Sequence, residues 1–189
     1  MKQKAIFLDR DGVINVEKTF VLSPEEMELY PGSADAVRRI NDAGYLAIVV
    51  TNQSAVARDY ITTGELEKIH GELKRLLSTE AGAKVDAIYY CPHRERLDEE
   101  GGNPEYIIDC ECRKPKPGML YQAAEDFDID LNRSYLIGDS ARDVLAGKRA
   151  GCTTIGLKTG HALKGIEQSP DYVFDDLRQA VDYILKNDR

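Results

Sequence analysis

Short apolar runs alternate with helical patterns along most of the 189-residue chain, and this alternation restricts its fold more than any other feature. The runs at residues 4–8 and 47–50 each end in polar residues, as buried strands do before a loop. Four further strands are predicted at residues 87–90, 135–137, 153–157 and 172–174. Helices are predicted between them, at residues 33–43, 62–81, 118–127, 141–150 and 176–186. Strands alternating with helices indicate an α/β fold with a doubly wound parallel sheet.

The ends of the predicted helices carry residues that favour those positions. Glycines follow three of these helices: Gly44, Gly82 and Gly151. Thr62 and Glu65 have the spacing of a capping box, and Ser140 is expected to cap the helix at residues 141–150.

The length and composition exclude several classes of protein. The chain suits one domain, predicted to span residues 1–189 with no large cap domain. Its 42% hydrophobic and 31% charged residues are typical of globular proteins. No apolar run is long enough for a signal peptide or a membrane span, so we expect a cytoplasmic protein with no membrane partner. The net charge of −8 disfavours a nucleic-acid partner, because such binding needs a basic face.

Four of the predicted strands are followed by a polar residue or a cysteine. These residues are Asp9, Thr51, Cys91 and Asp139. Ligands of doubly wound sheets bind at the carboxyl ends of the strands, so we expect these side chains to share one edge of the sheet.

The stretch FLDRDGVIN places two carboxylates, Asp9 and Asp11, directly after the first strand. One can remain ionised as a nucleophile or Mg²⁺ ligand, while the other is kept protonated as a general acid. On its own, this spacing is equally typical of a short acidic turn that leaves a strand.

The other strand ends supply what phosphoryl transfer requires. Thr51 offers a hydroxyl, Lys114 a fixed positive charge and Asp139 a hard oxygen ligand for Mg²⁺. Taken singly, each residue has a structural explanation: Thr51 could begin a turn, Lys114 could be a solvated surface charge, and Asp139 could cap a helix. Their order along the chain favours phosphoryl transfer.

Four motifs, DRDG, TNQS, RKPKPG and GDSARD, together resemble the signature of the haloacid dehalogenase (HAD) superfamily of phosphatases. The resemblance covers nearly the whole chain. It is closest to the D-glycero-D-manno-heptose-1,7-bisphosphate 7-phosphatase family, through DRDGVIN, TNQSAVAR and CRKPKPGM. The histidinol-phosphate phosphatase branch is similar, but typically has TNQDG where this chain has TNQSAVAR.

The resemblance implies a role for each residue of the motifs. Asp9 attacks phosphorus, and Asp11 protonates the leaving oxygen and then activates water. Mg²⁺ is held by Asp9, Asp139 and the backbone carbonyl of Asp11. Thr51 and Lys114 bind the phosphoryl oxygens. Because a free Asp has a pKa of about 3.9, we expect the surroundings of Asp11 to raise its pKa.

The resemblance also implies contacts with a sugar phosphate as the partner molecule. The residues expected to make them are Glu17, Asn52, Gln53, Ser54, Arg58, Arg113 and Ser140. Without a cap domain, Arg58 and Arg113 are expected to form a positive rim suited to an anionic, hydroxyl-rich substrate.

The chain departs from the family's pattern at two positions. Ser140 stands where bacterial members often have a lysine, and Ala55 where glycine is common. The roles of Ser140, Arg142 and Asp143, the preferred anomer of the sugar and the pathway therefore stay open. A monomer is expected.

Three of the four cysteines, with one histidine, fall within the segment at residues 91–112. The four are Cys91, His93, Cys110 and Cys112. A disulfide, a catalytic metal and a structural metal are the possible explanations. A disulfide is disfavoured in a reducing compartment, and four protein ligands fit tetrahedral Zn²⁺ with no open position, so we predict a structural zinc. It would clamp the polar residues 94–109 and hold Arg113 and Lys114 at the site. The fourth cysteine, Cys152, is assigned to the core.

Two other classes of protein share part of these features. A receiver-type signalling domain also groups Asp, Thr and Lys around Mg²⁺, but the two-residue spacing of Asp9 and Asp11 favours an enzyme. A zinc-based nucleic-acid module is disfavoured by the acidic net charge.

Overall fold

The computed structural model describes residues 2–95, 101–165 and 167–187. Its strands are β1 (Ala5–Leu8), β2 (Leu46–Asn52), β3 (Ala87–Cys91), β4 (Tyr135–Gly138), β5 (Thr153–Leu157) and β6 (Tyr172–Phe174). Its α-helices are α1 (Ser33–Asp42), α2 (Thr63–Ala81), α3 (Gly118–Phe127), α4 (Ala141–Ala150) and α5 (Leu177–Asn187).

All six strands form one parallel sheet in the order β3-β2-β1-β4-β5-β6. From β1 the chain first moves outward to β2 and β3, and then returns to add β4, β5 and β6 on the other side. The winding therefore reverses between β1 and β4, and a crevice opens beyond their carboxyl ends. Asp9 and Asp139 directly follow these two strands.

Alternating side chains of the strands pack against helices on both faces of the sheet. Ile6 and Leu8 of β1 belong to a core with α1, α2 and α5, whereas Ala5 and Phe7 belong to a core with α3 and α4. Burial on both faces explains why the strands read as continuous apolar runs. The predicted doubly wound α/β fold is confirmed, and within the described residues no second sheet is inserted.

The predicted elements are all present, with small shifts at their ends. The largest shift is in β2, which extends past Val50 because Thr51 and Asn52 still pair with Tyr90 and Cys91 of β3. The Thr62 cap is confirmed: the backbone N–H of Glu65 donates to Thr62 Oγ1 at 3.2 Å, and that of Thr62 donates to the Glu65 carboxylate at 2.7 Å.

The remaining structural expectations concern burial and membrane segments. Cys152 is 5% exposed and lies in the core, as predicted. Within the described ranges, none of the helices has the length and apolarity needed to cross a membrane. Part of the polar segment at residues 94–109 is described, but residues 96–100 lie outside the described residues.

Candidate active site

A cavity of about 500 Å³ opens at the carboxyl edge of the sheet. Every residue predicted for catalysis, Mg²⁺ or substrate lines it: Asp9, Asp11, Glu17, Thr51, Asn52, Gln53, Ser54, Arg58, Arg113, Lys114, Asp139 and Ser140. Strand ends and the loops that follow them bring these residues together, as the strand-end rule predicts.

Asp9 is placed at the centre of the cavity by β1. Its backbone N–H continues the sheet by donating to the Ile137 carbonyl at 3.0 Å. One carboxylate oxygen, Oδ1, accepts the backbone N–H of Arg10 at 2.7 Å, and Oδ2 lies 3.0 Å from Lys114 Nζ. Burial raises the pKa of Asp9 well above its usual value, although the Lys114 charge opposes this. A positioned carboxylate beside a fixed cation is suited to nucleophilic attack on phosphorus.

Lys114 is a buried cation whose side chain is only 2% exposed. Its ammonium donates to the Val50 carbonyl at 2.8 Å and to Asp143 Oδ1 at 2.5 Å, and pairs with Asp9. Burial alone would lower the pKa of Lys114, but the carboxylates of Asp143 and Asp9 outweigh burial and raise it. Lys114 therefore stays charged throughout the neutral range.

Asp143 is one of the three residues whose roles the sequence left open, and the structure places it against Lys114. It is 1% exposed, and its carboxylate pairs with the same Lys114 ammonium as Asp9 does. It also caps α4, because its Oδ2 accepts Ser140 N–H at 3.1 Å and Ser140 Oγ–H at 2.6 Å. The Lys114 charge lowers the pKa of Asp143 despite burial, so Asp143 is ionised.

Three acidic side chains have the arrangement of a cation site. Ligand oxygens of Asp9, Asp139 and Asp143 all lie within 4.8 Å of one another. Hard oxygen ligands of this kind suit Mg²⁺. Burial, with the charge of Asp143, raises the pKa of Asp139 to about 6. A bound divalent cation would relieve this crowding of negative charge, so the donor set fits Mg²⁺.

The loop after β5 braces Asp139. The backbone N–H of His161 donates to Asp139 Oδ2 at 2.6 Å, and that of Leu163 donates to the Asp139 carbonyl at 2.8 Å. Gly160 has φ +52°, and a Cβ there would stand 2.0 Å from Asp139 Oδ2 and 2.7 Å from the Cα of Gly12. Glycine is therefore required at Gly160 to let the loop approach the acidic cluster.

Asp11 is held by donors on both of its carboxylate oxygens. Oδ1 accepts from Arg10 Nη2 and Asn15 Nδ2, each at 2.9 Å, and Oδ2 accepts from Gln53 Nε2 at 2.8 Å. The expectation that the surroundings raise the pKa of Asp11 is wrong for the protein without substrate. Burial does raise the pKa, but the Arg10 charge and these hydrogen bonds outweigh burial and lower it.

The outer wall of the cavity carries the predicted substrate contacts. Arg58 stacks over the Phe20 ring at 5.7 Å, and Phe20 in turn meets Tyr60 edge to face at 5.2 Å. On another side, His161 Nε2 lies 4.0 Å from Glu17 Oε2, with the His161 side chain 60% exposed.

The cysteine segment forms a compact cluster beside this cavity. Sγ of Cys112 lies 3.3 Å from Sγ of Cys110 and 3.4 Å from His93 Nδ1, and Sγ of Cys91 lies 3.6 Å from that of Cys110. A tetrahedron with Zn–S bonds of ~2.3 Å has edges of roughly 3.8 Å, so the donors are almost at metal-binding positions. Hydrogen bonds from Cys91, Cys110 and His93 lower the pKa of Cys112 to about 5. The four cysteines of the chain are free, so the disulfide explanation is excluded.

Hydrogen bonds connect this cluster to the catalytic residues. The carbonyl of His93 accepts from Arg113 Nη1 at 2.8 Å. Next along the chain, Lys114 is tied to β2 because its backbone N–H and C=O both bond to the Asn52 side-chain amide, each at 3.0 Å. The cluster therefore anchors Arg113, and β2 anchors Lys114.

Known proteins share this fold and these motifs. The chain is 43% identical over 190 residues to the D-glycero-D-manno-heptose-1,7-bisphosphate 7-phosphatase of Thermosynechococcus vestitus, across 97% of this chain and 96% of that protein. The chain belongs to the heptose-bisphosphate phosphatase family. Another relative, the D-glycero-beta-D-manno-heptose-1,7-bisphosphate 7-phosphatase of Haemophilus ducreyi, is 37% identical across 97% of this chain and 100% of that protein.

The family is part of the HAD-like hydrolases. A family model for HAD-like hydrolases matches residues 111–180. The crystal structure of the D,D-heptose 1,7-bisphosphate phosphatase from B. bronchiseptica, complexed with magnesium and phosphate, has a TM-score of 0.85 with this chain. Its sequence is 37% identical, and the match covers 97% of this chain and 99% of that one. The chain is accordingly a phosphatase of the heptose-bisphosphate phosphatase family.

Sequence reasoning missed three parts of the site. Asp143 had a usable signal, because an acid four positions after Asp139 returns to the same end of α4. His161 belongs to none of the motifs, yet it lies at the cavity wall; its place after β5 was the available signal. No sequence signal marked Arg10, because an arginine between two aspartates is normally expected to be solvated.

Proposed function

We propose that the chain hydrolyses the 7-phosphate of D-glycero-D-manno-heptose 1,7-bisphosphate through an aspartyl-phosphate intermediate. The observation that carries the proposal is the 3.0 Å ion pair between Asp9 and buried Lys114 at the point where the sheet reverses its winding. Family membership supports the sugar bisphosphate as substrate.

The first step forms a bond between Asp9 Oδ and phosphorus and breaks the bond from phosphorus to the sugar oxygen. Asp11 gives its proton to that oxygen. In the second step Asp11 takes a proton from water, whose oxygen attacks phosphorus and releases inorganic phosphate and free Asp9.

Asp11 therefore needs a proton before the first step. An incoming phosphoryl group brings negative charge beside Asp11 and favours its protonated form, which opposes the effect of Arg10. In the second step the Arg10, Asn15 and Gln53 donors favour the ionised form that accepts the proton from water.

Two metal ions fit the chain. Mg²⁺ held by Asp9, Asp139 and the Asp11 carbonyl would neutralise the phosphoryl charge during attack. We propose that Zn²⁺ binds the cluster formed by Cys91, His93, Cys110 and Cys112. With four protein ligands this zinc is structural, and it orders the segment that carries Arg113 and Lys114.

The rim of the cavity suits a second phosphate. A smaller cavity of about 240 Å³ adjoins the catalytic one, and Arg58, Arg113 and Arg142 line both. Guanidinium groups bind phosphate through paired N–H donors, so this rim would hold the 1-phosphate while the 7-phosphate meets Asp9. The exposed Arg142 thus supplies positive charge near the uncharged Ser140.

Finer features of the function are also proposals. The relative from Haemophilus ducreyi is named for the β anomer, which supports the β bisphosphate as the preferred substrate. The chain is proposed to work in the cytoplasm as a single-domain monomer. Its net charge of −8 supports the absence of nucleic-acid and anionic-membrane partners.

The test is the position at which the enzyme cuts. With purified enzyme and Mg²⁺, ³¹P NMR of heptose 1,7-bisphosphate should show loss of the 7-phosphate signal and persistence of heptose 1-phosphate through many turnovers. Arg113→Ala should lower kcat/KM for this substrate more than for p-nitrophenyl phosphate, which has no second phosphate. Loss of the 1-phosphate first, or a single stoichiometric phosphorylation without turnover, would refute the proposal.

A further inference from the structure

Arg10 is the largest side chain of the molecule that is fully buried, with 0% exposure. It stands between Asp9 and Asp11, but its guanidinium turns to only one of them. Nη2 lies 2.9 Å from each oxygen of Asp11, and Nε lies 3.3 Å from Oδ1. A forked contact of this kind fixes the plane of a carboxylate as well as its position.

The other donors to Asp11 are buried as well. Asn15 is 0% exposed and Gln53 is 5% exposed. Gln53 is itself anchored, since its backbone N–H donates to the Cys91 carbonyl and its side-chain amide donates to Thr51 Oγ1, each at 2.8 Å. Only the Asp11 side chain within this group keeps appreciable access to the cavity, at 22%.

We propose that Arg10 is a positioning residue that acts on the reaction through Asp11. Arg10 lines the catalytic cavity, but its side chain is only 1% exposed and its donors are directed at Asp11, so we expect its effect on catalysis to pass through the carboxylate that it holds. General acid–base catalysis depends on the position of the proton donor, so misplacing Asp11 should penalise the step that needs a proton.

This role separates Arg10 from an arginine that merely stabilises the fold. Hydrolysis of phenyl phosphate needs more help from a general acid than hydrolysis of p-nitrophenyl phosphate. Phenol, like tyrosine, has a pKa of about 10 and is the poorer leaving group. Loss of positioning should therefore affect phenyl phosphate selectively. A general loss of structure would affect both esters alike.

The experiment measures kcat/KM for both esters in Arg10→Lys, Asp11→Asn and the double variant, with Mg²⁺ in excess. Arg10→Lys keeps the charge but removes the fork. Its kcat/KM should fall about 10-fold to 100-fold for phenyl phosphate, a fraction of what general acid catalysis contributes, and less than about 3-fold for p-nitrophenyl phosphate. In the Asp11→Asn background, adding Arg10→Lys should lower kcat/KM for phenyl phosphate by less than about 2-fold. The carboxylate through which Arg10 acts is already absent there.

Arg39→Lys is the matched control, because Arg39 pairs with Asp182 on the surface and lies outside the cavity. It should leave both rates within about 2-fold of the wild type. Equal losses on both esters in Arg10→Lys, or effects of Arg10→Lys and Asp11→Asn that simply multiply, would overturn the inference. The inference rests on the proposed phosphatase mechanism but not on the sugar, so a failure of the heptose assignment leaves these aryl-ester outcomes unchanged.

Discussion

Lys114 Nζ lies 3.0 Å from Asp9 Oδ2, with the lysine side chain buried and the aspartate side chain 14% exposed to the cavity. The lysine comes from the segment after the cysteine cluster and the aspartate from the end of β1. This pair joins the proposed nucleophile to the charge that would receive the phosphoryl oxygens. Asp143 also pairs with this ammonium, at 2.5 Å, and so helps to hold it beside Asp9.

Removing this cation should damage both activity and stability. Lys114→Ala leaves buried carboxylates without their partner, so we expect kcat to fall by about 10²-fold to 10³-fold and the free energy of unfolding to fall by about 3 kcal/mol. Lys116→Ala is the control, because Lys116 makes surface ion pairs with Asp109 and Glu111; it should cost less than about 1 kcal/mol. Steady-state kinetics and urea unfolding measure both. Similar losses in the two variants would contradict the role given to Lys114.

Magnesium affinity should depend on pH through Asp139. Its pKa is raised to about 6 by burial and by Asp143, and a protonated carboxyl cannot bind the metal. The dissociation constant should therefore be nearly flat above pH 7 and rise about tenfold for each unit below pH 6. Isothermal titration calorimetry between pH 5 and 8 measures this directly. A constant affinity down to pH 5 would contradict the combination of a raised Asp139 pKa and a place for Asp139 among the ligands.

The loop after β5 should control the same affinity. Gly160→Ala places a methyl against Asp139 Oδ2, so the Mg²⁺ dissociation constant should rise roughly 10-fold to 100-fold, as expected when support of a ligand is lost. Gly165→Ala is the matched control for Gly160→Ala. Gly165 also has a positive φ, +68°, but nothing lies within 4 Å of the added methyl. Gly165→Ala should change the constant by less than about 2-fold. Isothermal titration calorimetry measures the Mg²⁺ dissociation constant of both variants. An equal rise in the two would point to backbone strain rather than to contact with Asp139.

Zinc should be stoichiometric and structural. We expect about one zinc per chain by elemental analysis, and its loss in Cys110→Ser, which removes one of four ligands. Cys152→Ala is the control, because this buried cysteine is not part of the cluster and its loss should leave the zinc content unchanged. Cys110→Ser should also lower kcat/KM with Mg²⁺ in excess, since Arg113 loses its anchor at His93. A zinc-free protein with full activity would contradict the clamp.

The fold followed from periodicity because both faces of the central strands are covered, which makes β1 and most of β2 plain apolar runs; the edge strand β6, with Tyr172 and Val173 exposed, is not covered in this way. The end of β2 did not follow, since Thr51 and Asn52 are polar yet continue the ladder. Their polar groups are satisfied by Gln53 and Lys114, partners that a local pattern cannot reveal.

The positions of the site residues were predictable where a single rule applied. A pKa set by several neighbours with opposing effects was not predictable. The rule for strand ends brought Asp9, Thr51 and Asp139 together. The pKa of Asp11 was not predictable, because burial and three donors act in opposite directions and the donors win. Their contribution depends on distances that the sequence does not contain.

Selection of a sugar bisphosphate by this phosphatase can be measured by comparing two substrates. The measurement is kcat/KM for D-glycero-β-D-manno-heptose 1,7-bisphosphate and for histidinol phosphate on the same enzyme preparation. The rim of Arg58, Arg113 and Arg142 should hold a second phosphate and match a cationic amine poorly. We predict a ratio of at least ~100 in favour of the bisphosphate, or about 2.7 kcal/mol of differential transition-state binding. Equal efficiency, or a preference for histidinol phosphate, would contradict the account.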